Sequence, residues 1–241
     1  MIVGIIMGRK GSRGFPGKNH HVICGKPMVE WTIRHAVGSC IDKVFITTDD
    51  EKIVSIGESY GCDIIERPSA LCDSSALGDA VYQHAYYEIV ERVGAVDMVV
   101  MLCANAPTFS PQQIDEGVGV LRRDASYGSA CTVSKYNWYS PNRARRIDGG
   151  AVVPYDERLI DAGSCDRDST GDCYFYDCCV GISRPYGLEH IEDGQMPQKW
   201  LNGKIYPIIN EGGLDIDSEF QLGQIEWWLK KYGMGDTSVR S

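Results

Sequence analysis

Ile2-Val3-Gly4-Ile5-Ile6-Met7, followed at once by Gly8-Arg9-Lys10-Gly11-Ser12-Arg13-Gly14-Phe15-Pro16-Gly17-Lys18-Asn19, is the stretch that decides the fold. The first six residues are an apolar run without alternation, which reads as a buried strand. The loop behind it holds four glycines and four cations, at the carboxyl end of that strand. Glycine lets the backbone turn tightly and bring its N–H groups up to a ligand. Arg9, Lys10, Arg13 and Lys18 repel one another there unless an anion joins them. Open α/β sheets bind ligands outside the carboxyl ends of their strands, so the loop reads as a phosphate cradle. Its spacing is neither the G-x-G-x-x-G of dinucleotide sites nor the G-K-[ST] of a P-loop.

Outward from that stretch, strand and helix patterns alternate. Met28–Val37 is predicted as a helix, Lys43–Thr47 as a second strand, and a helix then runs through Tyr60. Asp63–Ile65 is a short strand, Leu77–Val93 a long helix, Asp97–Leu102 a strand and Ser110–Arg122 a helix. This order of βαβ units predicts an α/β fold: a Rossmann-like, mostly parallel sheet sandwiched by helices. After Cys131 the rhythm changes. Tyr136, Trp138 and Tyr139 precede a basic knot of Arg143, Arg145 and Arg146, and Asp148–Gly150 is a turn. Cys173–Ser183 fits a strand pair and Lys204–Ile209 a further strand. Residues 1–241 therefore read as one domain with an insertion at about 131–185. Ser218–Tyr232 closes the chain as a helix, with Glu219 at its start and Lys230 and Lys231 at its end, the polarity its dipole favours.

Composition narrows the function. A chain of 241 residues, 43% apolar, can bury a real core. Its net charge of −9 speaks against a nucleic-acid partner, which selects a basic surface. Local cations can still bind phosphates on an acidic body. No run of 18 apolar residues is present, so no membrane span is expected. The N-terminal run is too short and too quickly charged for a secretion signal. Ten cysteines occur without a CxxC pair, and no His stands at ligand spacing near Cys173–Cys179. They read as buried thiols of a cytoplasmic protein rather than a zinc site.

A second motif lies far along the chain: Leu214-Asp215-Ile216-Asp217-Ser218-Glu219. In an extended segment Asp215 and Asp217 point to the same side. Two carboxylates suit Mg²⁺, which takes one or two of them together with phosphate oxygens and water. The plain alternative is a solvated acidic turn in which Asp217 caps the helix.

The loop pattern G-R-x-G-S-[KR]-G-x-x-x-K-N resembles the signature of the cytidylyltransferases that activate sialic acid and related acids as CMP conjugates, and Asp215 to Glu219 resembles that family's D-I-D-x-E. The resemblance implies CTP as substrate and Mg²⁺ held by Asp215 and Asp217. It implies Arg9, Ser12 and Lys18 as triphosphate ligands on the backbone of Gly8 and Gly11, and Asn19 near ribose and base. Thr48-Asp49 resembles the family's Thr-Asp after the second strand, and Arg67-Pro68 its Arg-Pro beside cytosine. Arg9, Lys18 and Asp217 are the implied catalytic set.

The acceptor half departs from that pattern. The family's Q-P-T-S-P-x-R reads Leu102-Cys103-Ala104-Asn105-Ala106-Pro107-Thr108-Phe109 here, so its glutamine and arginine are missing. The R-P-N-G-A-I-Y strand is replaced by Ser164 to Asp172 and a Cys-rich strand. Asn105, Arg143, Arg146 and Arg167 are the candidate acceptor ligands. Guanidinium forks match tetrahedral anions, and no base is evident among the histidines. The expectation is thus CMP transfer to a small acidic acceptor, a phosphonate or phosphate in preference to a nonulosonic sugar acid. The segment of Tyr136, Trp138 and Tyr139 is where the family reaches a partner subunit, so a homodimer is expected. An NAD-dependent oxidoreductase, a glycosyltransferase and a silent nucleotide-binding protein are the rival classes.

Overall fold

The computed structural model describes residues 1–11, 14–73, 76–159, 164–169 and 171–233. Ser12 and Arg13 of the loop lie outside the described residues. The strands in chain order are β1 (Ile2–Met7), β2 (Val22–Ile23), β3 (Lys26–Pro27), β4 (Lys43–Thr48), β5 (Asp63–Glu66), β6 (Met98–Cys103), β7 (Tyr127–Lys135), β8 (Arg145–Asp148), β9 (Ala151–Pro154), β10 (Tyr174–Ser183) and β11 (Lys204–Asn210). The helices are α1 (Met28–Val37), α2 (Glu51–Ser59), α3 (Ser69–Cys72), α4 (Gly78–Val93), α5 (Pro111–Arg123), α6 (Pro185–Glu189) and α7 (Leu222–Trp228).

Seven strands form one sheet in the order β11-β7-β10-β6-β1-β4-β5. All neighbours are parallel except β10, which runs antiparallel to both β6 and β7. Strand residues alternate between two cores, as a period of two requires. Ile2, Ile6, Val44, Ile46, Val100 and Leu102 face one helical layer, with Val29, Ile33, Ile53, Ile114 and Val118. Val3, Ile5, Phe45, Val99 and Met101 face the other, with Tyr82, Ala85, Ile89 and Trp200. Each such burial is worth about 1.5–3 kcal/mol, and coverage of both faces explains why β1 reads as an unbroken apolar run. The expected α/β sandwich is what the chain adopts. No helix among the described residues is long and apolar enough to cross a membrane.

Chain order places the site. From β1 the chain steps through α1 to β4 and through α2 to β5. The sixteen residues of α4 then carry it back to β6, on the other side of β1. The connections leaving β1 diverge at that point and open a crevice at the strands' carboxyl ends.

Three expectations need correction. The insertion is shorter than 131–185, because Tyr127–Lys135 and Tyr174–Ser183 are inner strands of the main sheet. What projects lies between them and carries the β8–β9 hairpin, turned by Gly149 and Gly150 at φ 56° and 82°. Cys173–Ser183 is no strand pair; β10 is one strand whose register against β7 shifts between Tyr176 and Gly181. The closing helix is not uniform: Glu219–Gln221 is 3₁₀, α7 follows, and Leu229–Gly233 widens to a π-turn. Ser218 and Gln221 form a capping box at its start, so Ser218, not Asp217, caps it. Lys231 and Tyr232 tie its end to Glu211.

Candidate active site

The crevice is a cleft of about 350 Å³ walled by Gly8, Arg9, Gly14, Lys18, Asn19 and Arg67, with Asn105 and Asp217 on its other side. The loop after β1 is tied to the next strand's end. The Gly8 N–H donates to the Thr47 carbonyl at 3.3 Å and the Lys10 N–H to Asp49 Oδ1 at 2.7 Å. Gly11 turns at φ 76°, in the left-handed region that favours glycine. Arg67 is 5% exposed, and its Nη2 donates to the carbonyls of Gly8 (3.1 Å) and Thr47 (2.6 Å). Burial lowers its pKa and the negative charge of Asp49 opposes that. Asn19, also 5% exposed, donates to the Arg9 carbonyl at 3.2 Å. Asn19 Oδ1 and Arg67 Nε are buried on the cleft wall without hydrogen-bond partners among the described residues. Such groups are costly to leave unmet, and a bound ligand with one donor and one acceptor would meet them.

The acidic segment closes the cleft from the far end of the chain. Ile216 is fully buried among Met28, Trp31, Ile225 and Trp228, which leaves the flanking aspartates outside that core. Asn105 grips Ile216 twice: its side chain donates to the Ile216 carbonyl and its carbonyl accepts the Ile216 N–H, both at 3.0 Å. Lys18 Nζ donates to the same carbonyl at 2.8 Å and to Asp217 Oδ1 at 2.5 Å. Gly14 packs so close that a Cβ there would stand 2.6 Å from the Asp217 carbonyl. Residues 199 apart in sequence thus become one surface.

Burial, and then the negative charge of Asp217, raise the Asp215 carboxyl above its ordinary value, while Lys18 pulls it down. A carboxylate whose ionisation is made costlier by burial and by a second carboxylate, the second one open to solvent, suits a hard dication. Among the described residues no cluster of three His, Cys, Asp or Glu side chains is assembled for a metal, so phosphate oxygens and water would complete the shell. Beneath the loop, His20 and Asp50 pair at 2.7 Å. Burial pushes the Asp50 carboxyl up, but hydrogen bonds from His20 and the Lys52 N–H outweigh it and hold it below the usual range.

The structure therefore gathers Gly8, Arg9, Lys18, Asn19, Arg67, Asn105 and Asp217 around one cleft, with Asp215 beside it. Ser12 falls outside the described residues. Arg143, Arg146 and Arg167 are not on the cleft wall. Arg143 stacks on Trp138 at 5.0 Å and donates to the Cys165 carbonyl, Arg146 lies 3.8 Å from Asp148, and Arg167 pairs with Asp168. Sequence reading missed two residues beside Asp215, Cys103 and Cys178. Burial, with Asp215 adding to it, pushes the Cys103 thiol up to about 11 and the Cys178 thiol higher still. Position at the carboxyl end of β6 was the available signal for Cys103.

A family model described as Cytidylyltransferase matches residues 3–142. The chain is similar to the N-acylneuraminate cytidylyltransferase of Oncorhynchus mykiss, 25% identical over 234 residues, covering 96% of this chain and 51% of that protein. It is 39% identical over 137 residues to the N-acylneuraminate cytidylyltransferase of Escherichia coli O18:K1:H7 (strain RS218 / NMEC), covering 56% of this chain and 32% of that one. The chain thus spans about half or less of the length of these curated relatives. In fold it is similar to a solved CMP:2-keto-3-deoxy-manno-octonic acid synthetase complexed with CTP, with a TM-score of 0.69 at 16% identity, covering 95% of this chain and 98% of that one.

Proposed function

Because this chain belongs to the cytidylyltransferase family, we propose that it transfers CMP from CTP to a small acidic acceptor and releases pyrophosphate. One observation carries the reading: the cationic loop and the acidic segment meet at Lys18 and Asp217, over a cleft with unmet polar groups at Asn19 and Arg67. An acceptor oxygen attacks the α-phosphorus, a new P–O bond forms, and the bond to the bridging oxygen breaks with its electron pair leaving on pyrophosphate. A hydroxyl acceptor gives up its proton to water in the same step. Arg9 and Lys18 bind the phosphates and offset charge on the departing pyrophosphate. Asp215 and Asp217 would hold Mg²⁺, which when bound neutralises phosphate charge. Asn19 and Arg67 offer an acceptor and a donor to the nucleoside.

For the acceptor we propose a sugar acid of the nonulosonate kind rather than a phosphonate. The relatives above are named for N-acylneuraminate, and the arginines that favoured a phosphonate lie outside the cleft of a single chain. Trp138 and Tyr139, 65% and 66% exposed on the insertion, support the reading of this face as a contact in a homodimer. The test is an acceptor screen with CTP and Mg²⁺, reading pyrophosphate. The reading expects a sugar acid to exceed simple phosphonates by more than about tenfold in kcat/KM, about 1.4 kcal/mol of transition-state binding. The reverse order would return the acceptor to the phosphonates.

A further inference from the structure

Behind the acidic pair lies a buried polar cluster that no step above uses. Asp177, 4% exposed, sits on β10 where the register breaks. Its Oδ1 accepts from Thr132 Oγ1 at 2.5 Å and from the Cys179 N–H at 3.2 Å. Its Oδ2 accepts from Ser134 Oγ at 2.7 Å and from Asn210 Nδ2 at 2.9 Å. β7, β10 and β11 thus each send donors to one carboxylate, which is what makes its burial tolerable.

The same groups continue into the segment that bears Asp215 and Asp217. Ser134 Oγ accepts the Gly213 N–H at 2.9 Å, and Thr108 Oγ1 accepts the Leu214 N–H at 3.0 Å. Asn210 Nδ2 donates to the Thr108 carbonyl at 2.8 Å as well as to Asp177. Gly213 is pressed against the cluster: a Cβ there would lie 2.2 Å from Asp177 Oδ2 and 2.2 Å from Asn210 Nδ2. Any side chain at 213 would lift the segment off.

We infer that Asp177 is a positioning residue whose carboxylate, through Ser134 and the bare backbone of Gly213, sets where residues 213–217 leave β11 and hence where Asp215 and Asp217 stand. The inference rests on the reading of that pair as holding the dication. Asp177→Asn tests it, because the amide NH₂ would face the donor Asn210 and no longer accept from Ser134, while the side toward Thr132 survives. Ser134→Ala is the milder variant: it removes the hydroxyl between Asp177 and Gly213 and leaves three donors on the carboxylate. Ser129→Ala, also on β7 and bonded to Asn202 instead, is the control for general loss of stability.

Mn²⁺ binding is titrated by electron paramagnetic resonance with CTP present and acceptor absent, against a CTP-only baseline, alongside thermal melts. The wild type is expected to hold Mn²⁺ beyond that baseline. Asp177→Asn is expected to weaken it about tenfold or more, the scale seen when an outer partner of a metal ligand is removed. Ser134→Ala weakens it less, and Ser129→Ala lowers Tm without moving Mn²⁺ affinity. If Asp177→Asn does not fold, Ser134→Ala decides. Wild-type Mn²⁺ affinity in the variants, with Tm losses like that of Ser129→Ala, would make Asp177 core glue and overturn the inference. A wild type that holds no Mn²⁺ above baseline would instead overturn the metal reading of Asp215 and Asp217, and the inference with it.

Discussion

The loop after β1, with two arginines and two lysines, and the insertion after β7, with five arginines and no lysine, are both rich in cations, yet those cations are held in different ways. In the insertion the charges are answered within the insertion itself: Arg158 by Asp156, Arg167 by Asp168, Arg146 by Asp148, Arg145 by the carbonyls of Asn142 and Ala144, and Arg143 by the Cys165 carbonyl. Around the loop the bonds run across the fold, from Lys18 to residues 216 and 217 and from Arg67 to the ends of two strands. Local pairs on an exposed hairpin are worth little, typically 0–1 kcal/mol. Long-range ties of buried and partly buried cations fix a concave surface. Local density of basic residues is therefore a poor guide to a site, and their placement at a strand's carboxyl end a better one.

The sharpest way to break this contrast is Asp217→Asn, which keeps shape and removes charge beside Lys18. A loss of at least about a hundredfold in turnover is expected, near 2.7 kcal/mol of transition-state stabilisation, with circular dichroism unchanged. Near-normal turnover would remove Asp217 from the site and leave loop and insertion alike.

Asp215 sharpens it through stability. Its carboxyl is raised by burial and by Asp217, so the folded state binds its proton more tightly than the unfolded chain does. That contribution is full below the unfolded pKa and is lost as pH rises through the raised value. At neutral pH the ionised group is a burden, and Asp215→Asn is expected to raise Tm by about 2–4 °C, as about 1 kcal/mol would in a chain of this size, while impairing turnover. The Tm gain vanishes when the melts are repeated below the ordinary carboxylate range. A lower Tm at pH 7 would show that the ionised carboxylate is stabilising instead.

The smallest effect belongs to the insertion. Arg146→Ala, removing half of a 3.8 Å surface pair, is expected to change stability by less than about 0.5 kcal/mol and to leave KM for CTP unchanged. A several-fold rise in that KM would put the insertion in the nucleotide site.

The same contrast explains what was legible. β1 and α1 fall where the sequence places them, because Ile2–Met7 is buried on both faces and the apolar spacing of Met28–Val37 is unbroken. The alternation expected of Asp215 and Asp217 is what the segment adopts, since they flank the fully buried Ile216. β7 does not read as a strand and β10 reads as a pair, because their burial is partly polar. Ser129, Thr132 and Ser134 are fully buried by bonding to Asn202 and Asp177, so no apolar run marks the strand. In β10 the shift in register coincides with Cys178 at φ 61°, a left-handed conformation that a cysteine gives no reason to expect. The candidate acceptor arginines lie off the cleft wall for a third reason: Arg146 and Arg167 pair with carboxylates two and one residues away, Arg143 bonds the Cys165 carbonyl across the insertion, and proximity in sequence says nothing about which way such a segment projects.

The central claim is that the cleft takes CTP, and nucleotide choice tests it most directly. The chain is incubated with Mg²⁺, a nonulosonic acid and, in turn, CTP, ATP and GTP at equal concentration, and initial pyrophosphate release is measured. Strong preference for CTP with a CMP conjugate as the product is expected, because Asn19 and Arg67 are the proposed contacts to the nucleoside. Equal release from ATP or GTP would contradict it.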